Sequence, residues 1–282
     1  MNEARDQAPD SSRFPVGNAP CTVRSNRAVN ERYRHLVLEV PAPLYFATPG
    51  QFFHLLCPPF IDNDPYLRRP MSVYRISPAE RAIEFLYNVV GAGTRSLARL
   101  KAGDTMSVLG PLGVGFTLSA SYRHILMVAR GVGLATMAAV VPWARKRNIR
   151  VTALLSARSP CDLMEREFTQ HEDIRVLPVF DEDGSSTVER VEALLAAIIV
   201  EDRPDMVFTC GSNRLLKLLQ KLGVEHSVPG EIALEQQMAC ALGVCLCCVR
   251  PIKVAGEIVH KRVCCEGPVF DLQQVVGTWA HG

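Results

Sequence analysis

The sequence predicts a multidomain protein of α/β plus all-β class. It should contain an antiparallel β-barrel, a doubly wound parallel α/β sheet and a small C-terminal segment rich in cysteine. Three observations predict this architecture. Short strand-like runs fill residues 33–109, strand-like and helix-like runs alternate over residues 124–222, and six of the ten cysteines fall within residues 240–265. At 282 residues the chain is also long for one hydrophobic core, since domains usually have about 100–200 residues.

The predicted barrel occupies residues 21–118 and consists of short apolar or alternating runs between Pro and Gly turns. Its runs are RHLVLEV, QFFHLLC, MSVYRI, AIEFLYNVV and TMSVL. Runs of this length are typical of strands, and turns that follow each other so closely favour an antiparallel barrel. Residues 1–20 are polar and contain Pro, which predicts a disordered tail, and they lack the apolar region of a secretory signal. We therefore expect a cytoplasmic protein.

The second predicted domain, residues 119–225, alternates strands with helices. The strands are HILMVA, IRVTALL, IRVLPVF and DMVFTC, and the helices are LATMAAVVPWARKR, CDLMEREFTQ, TVERVEALLAAII and NRLLKLLQKL. This alternation predicts a doubly wound sheet, a fold that binds ligands at the carboxyl ends of its strands. Residues 226–282 then form a third, small domain that holds most of the cysteines.

Composition argues against two classes of partner. The net charge is +2, from 31 basic and 29 acidic residues, so no strong overall field is present to attract nucleic acid. The longest apolar stretches fall far short of the roughly 20 residues that a membrane-spanning helix needs. We therefore expect neither nucleic-acid binding nor insertion into a membrane.

The C-terminal cysteines predict a metal centre. Cys240, Cys245 and Cys248 are spaced C-x4-C-x2-C, the plant-type ferredoxin pattern in which a distant fourth cysteine completes the ligands of a [2Fe–2S] cluster. On spacing alone, either Cys264 or Cys265 is the fourth ligand. The alternatives are a structural zinc site, which usually has two short C-x2-4-C or H-x3-5-H pairs, and a set of buried thiols. The spacing favours the [2Fe–2S] cluster.

Glycines mark a candidate nucleotide site in the second domain. The first strand runs into Gly131 and Gly133 and then a helix, which is where a dinucleotide pyrophosphate meets a helix N-terminus. A later strand ends at Cys210 and Gly211, at the edge of the sheet where ligands bind. Taken singly, the glycines also suit a tight turn and Cys210 also suits a buried strand end.

Two motifs in the barrel suit phosphate binding. Arg69 begins a strand that also carries Ser72, and its guanidinium offers a bidentate fork to a phosphate. Gly91, Gly93 and Thr94 precede a helical stretch, where unobstructed N–H groups and a helix cap are expected. Either motif alone would fit a surface ion pair or a capped turn, so the prediction rests on their combination.

Together these motifs resemble the ferredoxin reductase superfamily, and most closely the electron-transfer subunits of type B dihydroorotate dehydrogenases, from about Val23 to about Val275. The resemblance implies that Arg69 binds an FAD phosphate, that Ser72 lies near the isoalloxazine, and that Cys264, which follows a valine as in the family, is the fourth ligand. The implied FAD-binding residues are Arg69, Pro70, Met71, Ser72, Gly91, Gly93 and Thr94, and the implied NAD-binding residues are Gly131, Gly133, Cys210 and Gly211. The implied cluster ligands are Cys240, Cys245, Cys248 and Cys264, and no catalytic acid or base is expected.

The chain departs from the family pattern at both glycine-rich loops. Ala129 and Arg130 replace glycines of the nucleotide loop, so we expect the side chain of Arg130 to crowd or grip the pyrophosphate. Ala241 and Cys247 replace glycines of the cluster loop. The strand that ends at Arg158 carries no carboxylate for a ribose 2′-hydroxyl, and an arginine there could instead accept a 2′-phosphate. The expected preference for NAD over NADP therefore rests on the resemblance.

The resemblance also implies a function in pyrimidine biosynthesis. Electrons would pass from a partner's flavin through the [2Fe–2S] cluster and FAD to NAD+. The partner would be an FMN-containing catalytic flavoprotein that oxidises dihydroorotate, in a hetero-oligomer docked around residues 240–248. The alternatives are an NAD(P)H-dependent reductase subunit of another complex, of sulfide dehydrogenase, glutamate synthase or hydrogenase type, and a non-enzymatic redox-sensing subunit.

Overall fold

An antiparallel sheet forms the N-terminal part of the protein. The structure is a computed structural model that describes residues 16–42, 44–59 and 65–277. The strands of this sheet are β1 (Gly17–Ala28), β2 (Tyr33–Glu39), β3 (Phe52–Leu55), β4 (Arg69–Ser72), β5 (Arg75–Ser77), β6 (Ala82–Asn88) and β7 (Thr105–Leu112). They lie in the order β4-β3-β7-β1-β2-β6-β5. Because β4 also approaches β6, the sheet curls towards closure as the predicted barrel.

Alternating apolar residues fill the barrel. Leu36 and Leu38 of β2 are fully buried, as expected for the inward face of a strand with period-two alternation. Phe53 and Phe85 meet edge to face across this core, with ring centroids 5.8 Å apart. The predicted disordered tail, residues 1–20, is wrong at its end, because residues 17–20 pair with β7 as part of β1. Residues 1–15 lie outside the described residues.

The second sheet has six strands in the order β10-β9-β8-β11-β12-β15. Its strands are β8 (His124–Arg130), β9 (Arg150–Ala157), β10 (Ile174–Phe180), β11 (Met206–Cys210), β12 (Gly230–Ala233) and β15 (Val269–Asp271). The helices are α1 (Ala92–Leu97) in the barrel, then α2 (Gly133–Ala138), α3 (Val141–Arg145), α4 (Arg166–Thr169), α5 (Val188–Asp202) and α6 (Asn213–Glu225). All neighbouring strands run parallel except β12 and β15.

Successive residues of β8 pack on opposite faces of this sheet. Leu126 and Val128 share a core with α5 and α6, whereas Ile125 and Met127 share another with α2 and α3. Burial on both faces explains why the strand is a continuous apolar run. The doubly wound α/β sheet is thus confirmed, and its ligand-binding edge is the one where β8, β9, β10 and β11 end.

Two predicted helices are shorter than expected. The run 134–147 divides into α2 and α3, because Pro142 has no N–H and its ring would clash with the carbonyl of residue 138 in a continuous helix. Pro142 instead lies in the first turn of α3, where its fixed φ is favourable. In the run 161–170 only α4 is α-helical, preceded by a single 3-10 turn at Pro160–Asp162.

The C-terminal segment is built into the nucleotide sheet. Its strands β12 and β15 are the last two of the six, while β13 (Val249–Val254) and β14 (Glu257–Arg262) form a separate hairpin that leads into α7 (Val263–Glu266). The N–H of Val114 donates to the carbonyl of Gly267 at 2.6 Å. The segment therefore packs on the link between barrel and nucleotide sheet.

No helix within residues 16–42, 44–59 and 65–277 is long and apolar enough to span a membrane.

Candidate functional site

Arg69 and the first turn of α1 form one site in the barrel. A Cβ at Gly93 would lie 2.6 Å from Nε of Arg69, so only glycine lets the guanidinium rest against this turn. The Oγ1 of Thr94 accepts the N–H groups of Val90 and Gly91, each at 3.0 Å, which holds the turn in place. The structure thus brings together the two motifs that the sequence predicted separately.

Backbone carbonyl groups hold the guanidinium of Arg69. It donates to the carbonyl groups of Leu67 and Arg68, and among the described residues it forms no ion pair. Ser72 lies at the far end of the same strand, opposite Phe52, with Pro70 and Met71 between them. A guanidinium that rests against a glycine turn fits a phosphate-bearing cofactor such as FAD.

His54 is a polar residue of this region that the sequence reasoning missed. It lies on β3 opposite Pro70 and is fully buried, and neither ring nitrogen has a hydrogen-bond partner within the described part of the chain. Burial, with Arg68 and Arg69 nearby, lowers the pKa of His54 to about 4, so the imidazole is neutral. The only sequence signal was a histidine within the apolar run QFFHLLC, which is more typical of a core position.

The nucleotide loop and the end of β11 are in contact. A Cβ at Gly133 would lie 2.5 Å from the carbonyl oxygen of Cys210, so glycine allows α2 to begin directly against that strand. Gly131 has a φ of 56°, a left-handed conformation that glycine adopts without strain. A Cβ at Gly131 would lie 3.6 Å from the hydroxyl of Tyr33 on the barrel. The site is therefore at the junction of the two sheets.

Cys210 is a neutral thiol. It is almost fully buried, and burial, together with the charge of Glu235, raises its pKa. A thiol in this state positions a neighbouring group and does not act as a nucleophile.

Glu235 is a second residue that sequence reasoning missed. It lies two residues beyond the end of β12, and its charge acts on both Cys210 and Tyr33. Although its side chain is exposed, the surrounding protein displaces part of its hydration water. This raises the pKa of the Glu235 carboxyl group. These properties place it in the cleft between the sheets. No sequence signal distinguished it from other surface glutamates.

The four predicted ligands form two pairs of thiols. The Sγ of Cys240 accepts the N–H of Cys245 at 3.4 Å, and the two side chains are hydrogen-bonded. The Sγ of Cys248 accepts the N–H of Cys264 at 3.4 Å, and these side chains are also hydrogen-bonded. Cys248 and Cys264 are 2% and 1% exposed, whereas Cys245 faces solvent.

Two pairs suit a two-iron cluster better than a single ion. A structural zinc needs four ligands around one point, whereas these four thiols are joined as two pairs. In a [2Fe–2S] cluster each iron has two bridging sulfides and needs two protein thiolates. The paired arrangement fits that need.

Backbone N–H groups of the loop favour a thiolate at Cys240. Burial raises the pKa of Cys240, but hydrogen bonds from the N–H groups of Cys245, Leu242 and Val244 outweigh burial and lower it to about 6. Such N–H groups also stabilise the negative charge of a metal-bound thiolate.

The loop has two left-handed residues between the first two ligands. Gly243 has a φ of 77° and Ala241 a φ of 57°. Ala241 stands where the family has glycine, and the left-handed conformation costs a non-glycine residue roughly 1–2 kcal/mol. At Gly243 a Cβ would also lie 2.8 Å from the Sγ of Cys265. Cys265 therefore packs against the loop at Gly243, while Cys264 is bonded to Cys248.

We predict that Gly243→Ala lowers the iron content of the purified protein to less than half that of wild type, because the methyl group would push Cys265 against the loop. Gly256→Ala is the control, since Gly256 has a φ of 92° and open space around its Cβ position; it introduces backbone strain without crowding. Adding Cys265→Ala to Gly243→Ala should restore part of the iron. Equal iron content in the two glycine variants would contradict this account of the loop.

Comparisons with known proteins agree with this geometry. Residues 235–276 match the model of a protein family described as the iron-sulfur cluster binding domain of dihydroorotate dehydrogenase B. The dihydroorotate dehydrogenase B (NAD(+)) electron transfer subunit of Desulforamulus reducens is 35% identical over 244 residues, which cover 86% of this chain and 92% of that protein. The corresponding subunit of Bacillus caldolyticus is 31% identical over 264 residues, 93% of this chain and 99% of its own length.

Solved structures share the fold. A structure of the NADH-dependent reduced ferredoxin-NADP oxidoreductase is similar with a TM-score of 0.76 and 26% identity, covering 93% of this chain and 91% of that one. The ferredoxin reductase in carbazole 1,9a-dioxygenase has a TM-score of 0.62 at 21% identity, covering 77% and 68%, and is similar in fold alone. From the cysteine pairs, the two sheets and these near full-length relatives, the chain belongs to the family of dihydroorotate dehydrogenase B electron transfer subunits.

Proposed function

We propose that this chain carries electrons between a dihydroorotate-oxidising flavoprotein and NAD+, as the NAD-linked subunit of a dihydroorotate dehydrogenase B in pyrimidine biosynthesis. The observation that carries the proposal is the pairing of Cys240 with Cys245 and of Cys248 with Cys264. This arrangement suits a [2Fe–2S] cluster, and it lies beside a barrel and a nucleotide sheet of the ferredoxin reductase type.

In this proposal the barrel binds FAD. Arg69 holds a phosphate against the first turn of α1, where Gly93 leaves room and Thr94 fixes the turn, and Ser72 lies beside the flavin ring. Pro70, Met71 and Gly91 line the same strand and turn. At the neighbouring sheet edge, the proposed NAD-binding residues are Gly131, Gly133, Cys210 and Gly211.

When bound, flavin and iron–sulfur cluster together convert between the two-electron chemistry of nicotinamide and one-electron transfer. The protein's own contribution is to position and shield them. Buried Cys248 and Cys264 share a hydrophobic core with Phe52 and Leu112 of the barrel, so this pair faces the proposed flavin side. Cys245 faces solvent, and with Cys240 it forms the side available to a partner.

An apolar rim surrounds the exposed pair. The rim consists of Leu242, Val244 and Leu246, which are 54%, 80% and 60% exposed. The sequence left open whether these residues pack in the core or form a surface, and their exposure supports the surface. Apolar side chains around a redox centre suit the centre of a protein interface. We propose that the catalytic flavoprotein docks on this rim, giving a hetero-oligomer.

We also propose a cytoplasmic location. All ten cysteines are free thiols, and thiols persist in reducing compartments.

The assignment of the fourth ligand is tested by two serine variants. Cys264→Ser should abolish cluster binding, because it removes half of the buried pair, whereas Cys265→Ser should retain it, because that thiol belongs to neither pair. Iron and acid-labile sulfide per chain are the measurements. The reverse pattern would show that Cys265 is the ligand.

The proposed function predicts a division of labour between subunits. Because the proposal places dihydroorotate oxidation on the partner flavoprotein, the isolated subunit should reduce artificial dyes with NADH yet fail to oxidise dihydroorotate. Adding the catalytic flavoprotein should couple dihydroorotate oxidation to NAD+ reduction. Oxidation of dihydroorotate by the isolated subunit with NAD+ would contradict the proposal.

The apolar rim predicts a charge-sensitive interface. Val244→Glu should weaken binding of the flavoprotein at least tenfold, equivalent to about 1.4 kcal/mol, because an unpaired carboxylate would be buried in the complex. Its matched control is Val200→Glu, the same substitution at an exposed valine of α5. The measurement is the dissociation constant for proteins with equal iron content. Equal weakening by both variants would place the interface elsewhere.

A further inference from the structure

Arg130 does not enter the glycine loop that follows it. Its guanidinium turns along the ends of the neighbouring strands and donates to both carboxylate oxygens of Asp181, at 3.1 and 2.7 Å, and to the Oγ of Ser156 at 2.8 Å. Arg130 ends β8, Ser156 lies near the end of β9 and Asp181 follows β10. One bidentate pair thus joins three strand ends. The guanidinium is thus directed towards Asp181 and Ser156 and not into the loop where we expect the pyrophosphate.

The pair lies where the general geometry of doubly wound sheets places an adenosine ribose. In such sheets the pyrophosphate lies on the glycine turn after the first strand, and a carboxylate near the end of the second strand accepts the ribose 2′-hydroxyl. Here β9 ends without a carboxylate. Asp181 supplies one from the next strand, since its N–H donates to the carbonyl of Ala157 at 3.2 Å.

A narrow crevice beside the pair is lined by further polar groups. Ser156, Ser212, Arg130 and Arg214 line it together. The Oγ of Ser212 is buried and has no hydrogen-bond partner among the described residues. Two arginines beside such a hydroxyl would by themselves suit a phosphate.

Asp181 changes the charge of this crevice. Hydrogen bonds from Arg130 and Ser186 lower the pKa of Asp181 to about 2, so it is ionised at any physiological pH. Its charge offsets that of Arg130, and it would face a 2′-phosphate as a like charge, whereas it can accept a hydrogen bond from a 2′-hydroxyl.

We propose that the Arg130–Asp181 pair determines specificity for NAD(H) over NADP(H), with Asp181 accepting the ribose 2′-hydroxyl and holding Arg130 away from use as a phosphate ligand. This inference rests on the proposed nucleotide site at Gly131 and Gly133. It assigns the selectivity to a residue pair and not to Arg158, which follows β9. When Asp181 is removed, the guanidinium of Arg130 becomes free to bind a phosphate.

The test compares two non-redox probes, 5′-AMP and 2′,5′-ADP, bound to the full chain with its cofactors and measured by calorimetry. Asp181→Asn should raise the affinity for 2′,5′-ADP relative to 5′-AMP at least tenfold, and should shift kcat/KM towards NADPH in the same direction. Arg130→Gln added to Asp181→Asn should remove the gain. The pair is partly exposed, so its loss should have little effect on stability.

The control is Asp183→Asn, which removes an equal charge two residues away. Asp183 is bonded to Ser185 and not to Arg130, so the affinity ratio should stay at the wild-type value. An unchanged ratio in Asp181→Asn, an equal gain in Asp183→Asn, or a gain that survives Arg130→Gln would each overturn the inference. In those cases wild-type protein would still bind 5′-AMP and be reduced by NADH; failure of both would overturn the proposed nucleotide site as well.

Discussion

The pairing of β12 with β15 is the interaction on which the rest of the structure depends. Ile232 lies opposite Phe270 in this antiparallel pair, and the N–H of Leu234 donates to the carbonyl of Pro268 at 2.9 Å. The cysteine-rich residues 235–268 therefore leave and rejoin the sheet at one point. Because β12 also pairs with β11, that point lies beside Cys210. The thiol pairs are thus anchored to the sheet that carries the proposed nucleotide site.

This anchoring gives the two thiol pairs different surroundings. One pair is enclosed by the core that joins barrel, nucleotide sheet and C-terminal segment, and the other is at the surface within the apolar rim. A carrier of single electrons is useful when one side lies near an internal cofactor and the other near a partner. The two buried ligands therefore mark the side of the site towards the internal cofactor. The two more accessible ligands mark the side towards a partner.

Much of this organisation could be predicted from local patterns. Alternation and apolar runs predicted both sheets, and the spacing of Cys240, Cys245 and Cys248 predicted one loop that gathers thiols. What local patterns could not show was long-range pairing. The short strand β15 has only three residues, and its place beside β12 depends on a return of the chain from far away. Pro142 by itself predicts a break in the helix, but the long apolar run around it favours one continuous helix.

Side-chain direction was the other limit. The sequence placed Arg130 next to the glycine loop, but whether it points into that loop or towards Asp181 depends on the end of β10, about fifty residues later. The same holds for Glu235, whose charge acts on Cys210 and Tyr33, two residues far from it in sequence. Ala241 has a left-handed φ, which is unfavourable for a residue other than glycine, and burial of its side chain holds it there.

We propose above all that two thiol pairs hold a two-iron cluster. The most direct test is analysis of iron, zinc and acid-labile sulfide in the purified chain, combined with electron paramagnetic resonance after reduction. The account predicts two irons and two sulfides per chain, with a spin-half signal in the reduced protein. Stoichiometric zinc without sulfide, and no such signal, would contradict it.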